Sequence, residues 1–188
     1  MPLELATCAQ ECFEKGGGFS RGFYRRLYDS AETYPQDAGN AGASVNMAIR
    51  KSVSNIIGLF DECLGPGTPA RSGSETELFF RILSAGYRIV YDPGALCWHR
   101  HRRTWTEVIE NIYGYKVGEF AIYARSLLFD RELDTPWFAW KQVERRLRPF
   151  GRPLSFYIFE LLGCLVGPWA YLYSRWIHRK RINQDEIR

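Results

Sequence analysis

The run from Gly65 to Arg102 leaves this chain fewer folding options than any other part of it. Gly65, Gly67 and Gly73 stand with two prolines in nine positions, which no regular helix or strand tolerates, so 65–73 reads as a flexible surface loop. Ser74-x-x-Glu77 then has the spacing of a capping box, in which a serine oxygen and a glutamate side chain satisfy the amides that a helix start leaves unpaired. A helix is predicted from there, with Leu78, Phe79, Ile82, Leu83 and Ala85 on its apolar stripe and Gly86 at its end. Arg88-Ile-Val-Tyr91 is β-branched and aromatic, and Asp92-Pro-Gly is turn chemistry. Ala95-Leu-Cys-Trp98 resumes an extended segment that delivers His99 and His101. Alternation along that segment sends Arg100 to one face and both imidazoles to the other.

Upstream, Leu5, Cys8, Ala9, Cys12 and Phe13 repeat at the spacing of one helical face, and the glycines at 16–18 stop that helix. Arg21, Arg25 and Arg26 follow among aromatic residues, where they can meet a diphosphate or an acceptor, or simply face water. Ser44 to Ile49 reads as a short strand. Asn46 inside it needs hydrogen-bond partners, as a clamp on a neighbouring loop or as an acceptor-binding group. Arg50 to Ile57 is a short helix closed by Gly58, and Asp61 caps the turn after it.

This pattern resembles the second half of the family 2 glycosyltransferases, which often carry Gly-Glu-Asp, a helix, Gly-Tyr, Pro-x-Ala and a His or His-x-His. The resemblance also takes in Gly16 to Phe23, Gly42 to Arg50 and Gly58 to Gly65, in the order those enzymes have them. It implies an α/β fold, a partial GT-A domain, over residues 1–130, and inverting transfer of a sugar from a nucleotide-diphospho-sugar. The acceptor is then the hydroxyl of a glycan or of a lipid-linked molecule. Glu75 falls at the catalytic aspartate's position, at a helix entrance where the dipole keeps a carboxylate ionised and available as a base. Ser74 and Glu75 replace the usual Glu-Asp, so the carboxylate here is one methylene further from the backbone. The resemblance assigns His99 to a divalent metal, manganese or magnesium, places Arg21, Asn46, Trp98 and His101 toward substrate or acceptor, and lets the loop of Gly65, Gly67 and Gly73 close over it. The nucleotide-binding half with its Asp-x-Asp pair is not found in these residues, and the chain begins where that half would end.

Trp105 to Leu128 describes a long amphipathic helix, with Gly114 and Gly118 placed to admit another backbone. Residues 131–188 form an aromatic and basic tail. Pro136 opens a segment in which Trp137, Phe138 and Trp140 neighbour Lys141 and Arg145, a mixture suited to lipid headgroups. Leu154 to Tyr173 is mostly apolar and long enough for a bilayer span, yet it holds Glu160 and Pro168 and is basic at both ends. A helix or kinked hairpin in the cytoplasmic leaflet is therefore expected, with a span or a protein-covered helix as alternatives. No leader marks the chain for export, and an odd five cysteines without a Cys-x-x-Cys pair suggest reduced thiols in the cytoplasm. The net charge of +4 is too small, and too local to the C-terminal end, for a nucleic-acid surface. The rival to an enzyme is a non-catalytic module that binds a membrane surface.

Overall fold

The computed structural model describes residues 4–15, 18–19, 21–31, 35–147 and 153–185. The chain is mostly helical, with one small two-stranded sheet and a long apolar C-terminal helix. It divides into two compact units, Met1–Phe60 with Glu75–Val108 and Asp61–Ser74 with Ile109–Arg188.

The first unit is built on helix α3, Ser74–Ser84, of which Glu75 onward belongs to this unit. Leu78, Phe79, Ile82 and Leu83 are buried together with Tyr28, Ala38, Ala41 and Phe80, and Met47, Val53, Ile57 and Tyr87 pack on them. The expected helix end is present. Gly86 adopts φ +78, its N–H donates to the Leu83 carbonyl, and the Tyr87 N–H reaches back to Ile82. That pair of bonds closes the last turn and turns Tyr87 onto the core it leaves. Strand β2, Ile89–Tyr91, pairs antiparallel with β1, Arg26–Tyr28, with Leu27 opposite Val90. Helices α1, Cys8–Lys15, and α2, Lys51–Ile57, complete the unit, α2 ending on Gly58 as expected.

Glu77 is fully buried, and Arg81 holds it through two bonds, Nε at 2.5 Å and Nη2 at 2.8 Å. The same guanidinium donates to the carbonyls of Ile57 and Leu59, fastening the end of α2 to α3.

The strand expected over 44–49 does not form. Ser44–Asn46 is a 3₁₀ turn between extended Ala43 and Met47, and Asn46 is exposed. Its Nδ2 donates to the Ala95 carbonyl at 2.9 Å. Short polar side chains offer the backbone such alternatives to a ladder, and Met47 and Ile49 still reach the core from the extended stretch that follows. With that segment and residues 96–98 outside any ladder, the sheet is far smaller than an α/β domain was expected to carry.

In the second unit, helix α4, Trp105–Arg125, continues into one π-helical turn, Ser126–Asp130, and is followed by α5, Thr135–Leu147. Helix α6, Leu154–Asp185, passes straight through Pro168 instead of turning back as a hairpin. It lies directly on α4. A methyl group at Gly163 would sit 2.6 Å from Lys116 Cβ and 2.9 Å from the Tyr113 carbonyl oxygen. At Gly167 it would sit 2.6 Å from both Phe120 Cβ and the Val117 carbonyl oxygen.

The loop 65–73 is irregular, as expected, but it is packed rather than loose. Amide bonds run from Gly65 to Ser72, from Thr68 to Gly65 and from Arg71 to Thr68, and Ala70 is fully buried. Ser72 Oγ donates to the Gly114 carbonyl at 2.9 Å, and a methyl at Gly118 would strike Ser72 at 2.1 Å. Gly114 and Gly118 do admit another backbone, and it is this loop's. Glycine and proline exclude regular structure here without making the segment mobile.

Two stability changes are expected in urea unfolding. Glu77→Ala strands the Arg81 guanidinium and costs about 3–5 kcal/mol. Gly167→Ala gains roughly 1 kcal/mol of helix propensity, but its methyl meets a backbone carbonyl that cannot step aside. A net loss is expected, within the roughly 1–3 kcal/mol typical of overpacking. An unchanged midpoint in either variant removes that contact from the account of the fold.

Candidate functional site

In the first unit the two histidines share a face, as alternation along the segment requires, with ring centroids 5.6 Å apart. His101 is buried, and its Nε2 lies 2.9 Å from Glu14 Oε2 on α1. Phe13 stands 5.1 Å from the His101 ring, and Phe19 meets the His99 ring edge-on at 4.7 Å. Helix α1 is pinned here by polar bonds. Gln10, fully buried, donates to the His101 carbonyl at 3.2 Å while its oxygen accepts from the Ala6 and Thr7 amides. Thr7 Oγ1 donates to the Arg103 carbonyl at 2.9 Å, and Arg103 pairs with Glu4.

Burial pushes the pKa of His99 down, and the neighbouring His101 and Arg102 push it the same way. The ring is thus neutral at physiological pH. Its Nδ1 is buried without a hydrogen-bond partner, as is that of His101. A neutral imidazole with an open nitrogen is chemically fit to ligate a metal. The set around it is not, because Glu14 is engaged by His101 and no group of three or more metal-ligating side chains occurs among the described residues. His99 offers one ligand and not a shell, so no step below passes through a metal.

The other candidates stand as follows. Glu75 is half-buried in the first turn of α3, in the same unit as His99 but on a separate element. Arg21 braces the carbonyls of Gly18 and Gly39, at 3.4 and 3.5 Å. Asn46 makes the loop clamp onto Ala95 described above, three residues before Trp98, whose ring is 64% exposed. Gly65, Gly67 and Gly73 belong to the packed loop of the second unit.

The sequence left one polar centre unnoticed. Asp61 does cap its turn, Oδ1 accepting from the Cys63 amide at 2.8 Å. Its Oδ2 also accepts from Tyr171 Oη at 2.8 Å and from Arg125 Nε at 3.0 Å, residues 110 and 64 positions away along the chain. Ser174 Oγ adds a bond to the Cys63 carbonyl at 2.6 Å. No local pattern signals partners so distant; the clue available was an acidic residue in an apolar setting. Burial pushes the Asp61 pKa up, but the Cys63 amide, the Tyr171 hydroxyl and Arg125 together outweigh it and hold the carboxyl below its ordinary value. Burial and the nearby Asp61 charge push the Cys63 thiol up to about 11, so it is protonated and unreactive at neutral pH.

Comparison with protein-family models, with curated proteins and with solved structures finds no match to this chain. Its function is therefore argued from the residues and their geometry.

The Asp61 centre sets a pH dependence. Its folded carboxyl titrates below the unfolded one, near 3.9, so the unfolded chain takes up the proton first as pH falls. The stabilisation is complete above about pH 4 and is lost as pH drops through the folded value. Asp61→Asn is expected to lower stability at neutral pH by roughly 1–3 kcal/mol and to flatten the acid limb of the urea midpoint plotted against pH. An acid limb identical to that of the parent chain would locate the dependence elsewhere.

Proposed function

We propose that this chain is the acceptor-side part of a family 2-like inverting glycosyltransferase at the cytoplasmic face of a membrane. It moves a sugar from a nucleotide-diphospho-sugar to the hydroxyl of a glycan or of a lipid-linked acceptor. One observation carries this reading: α3 with Glu75 in its first turn, the Gly86 end, β2 and the paired histidines follow one another in the order the resemblance requires. The run ends in a buried His101 and a half-buried His99 whose Nδ1 has no hydrogen-bond partner.

In the transfer, Glu75 accepts the proton of the acceptor hydroxyl as its oxygen attacks the anomeric carbon, and the bond to the diphosphate breaks on the opposite side of the sugar. Exposed Trp98 offers a flat apolar face on which a sugar ring can stack. The departing diphosphate needs positive charge, which the exposed guanidiniums of Arg100 and Arg102 beside the histidines can offer.

The second reading, a membrane-surface module without chemistry, is favoured by the exposed apolar side of α6 and by the incomplete ligand set at His99. Glu75→Gln separates the two. In membranes of cells that form the product, supplied with labelled nucleotide-diphospho-sugars, the parent chain is expected to support label transfer, and the variant to slow it by about a hundredfold or more with unchanged membrane binding. Equal transfer with both leaves the enzyme reading without its base and favours the module.

A further inference from the structure

Helix α6 is small and mixed in polarity inside and wholly apolar outside. Every exposed position from Leu154 to Trp176 is aliphatic or aromatic: Leu154, Ile158, Phe159, Leu162, Leu165, Val166, Trp169, Leu172, Tyr173 and Trp176. The covered face carries Glu160, Ser174 and the Tyr171 hydroxyl, with glycine at 163 and 167. Leu165 and Trp169 are 70% and 73% exposed. A helix surrounded by water arranges these residues the other way round. Beyond Trp176 the exposed residues turn basic, Arg179, Lys180 and Arg181, and the Lys180 ammonium sits 3.8 Å from the Trp176 ring centroid.

By length and composition α6 is able to cross a bilayer. What lies on its inner face argues against crossing. Gly163 and Gly167 seat it on the α4 backbone from Tyr113 to Ala121, a stretch that includes the Lys116–Glu119 ion pair. Tyr171 ties it to Asp61 and Arg125. A span would carry those charges through the hydrocarbon, where ionised groups are strongly disfavoured. A helix lying along the surface leaves them on the water side and immerses only the outer stripe, about 33 Å long at ~1.5 Å per residue.

We propose that α6 is a monotopic anchor. It lies parallel to the bilayer with the Leu165 and Trp169 side in the upper acyl region, and Arg179, Lys180 and Arg181 bind anionic lipid headgroups beside Trp176. This deepens the membrane part of the function proposed above and does not depend on sugar transfer. Basic residues meeting acidic headgroups supply the charge complementarity that identifies the occupant as lipid.

Flotation of the full chain with phosphatidylcholine vesicles, with and without phosphatidylglycerol, tests the anchor. Binding is expected to strengthen with phosphatidylglycerol, and to weaken roughly fivefold for each charge removed in Arg179→Gln, Lys180→Gln and Arg181→Gln. Leu165→Gln with Trp169→Gln, at exposed positions that leave the circular dichroism spectrum unchanged, is expected to weaken binding at least about tenfold. Lipids brominated near the headgroup end of the chain are expected to quench Trp169, read as the difference from Trp169→Phe, more than lipids brominated at the chain terminus. Stronger quenching from the bilayer centre overturns the parallel placement in favour of a span. Unaltered flotation in the double variant, or a detergent-free dimer that does not float, overturns the lipid assignment. Label transfer to a water-soluble acceptor, unaffected by these substitutions, keeps the sugar-transfer reading separate from either result.

Discussion

The second unit depends on the absence of side chains at Gly163 and Gly167. Because neither position carries a Cβ, α6 rests on the α4 main chain itself, with carbonyl oxygens of Tyr113 and Val117 where side chains would otherwise stand. Close approach of this kind multiplies dispersion contacts along the seam without large apolar residues in it. The buried face of α6 accordingly uses Cys164 and Ala170 between two large anchors, Phe156 and Tyr171, with Ser174 one turn further on. The bulky aliphatic and aromatic residues of the helix are left outward. The exposed apolar stripe of α6 is thus a consequence of how it packs.

A buried charge plays the corresponding part in the first unit. Removing Glu77 from water is costly unless its partner satisfies it, and Arg81 does so with two parallel bonds from the next turn of the same helix. The remaining donors of that guanidinium end on Ile57 and Leu59, carbonyls at the C-terminal end of α2 that have no partner within the helix. Helix α2 has no fully buried residue, so its attachment owes much to this clamp. The pair also stiffens the start of α3, where Glu75 stands two residues before Glu77. For Glu75 as the proposed base, a backbone fixed in this way would hold one distance from a hydroxyl, and distance errors of about 1 Å are costly in catalysis.

What could be read from the sequence was local. Gly86 and Gly58 end helices because a glycine with positive φ follows an apolar helical repeat, and both signals lie within a few residues. His99 and His101 fall on one face because extended chain alternates. The misreadings arose where a local pattern had two outcomes. Ser44 to Ile49 alternates like a strand, but Ser44 and Asn46 favour a turn, and strand formation depended on a partner the fold does not bring. Glycine-rich 65–73 was read as flexible because composition says nothing of what a loop packs against, and here it is Gly114 and Gly118. Pro168 left a helix and a kinked hairpin both open, and because a proline removes only one bond of a long ladder the helix runs on. Asp61 with Arg125 and Tyr171 was out of reach altogether, since its partners lie far along the chain and share no spacing with it.

The environment of the histidines limits what chemistry they can support. Phe13 and Phe19 line the imidazoles, and burial holds His99 neutral, so His99 contributes no positive charge toward a diphosphate. Attraction of an anion would fall instead to the guanidiniums that alternate with them, Arg100 and Arg102, which stay exposed on the opposite face and extend into water. Arg100 is partly neutralised by Glu4 at 3.8 Å, a pairing that salt and solvent weaken and that a more highly charged ligand can displace. His101 is different in kind: with Glu14 on one nitrogen and its own carbonyl held by Gln10, it serves to fasten α1 across the strand end. Both imidazoles keep an Nδ1 without a hydrogen-bond partner, but only His99 has no ring nitrogen in an ion pair, so it is the less committed of the two.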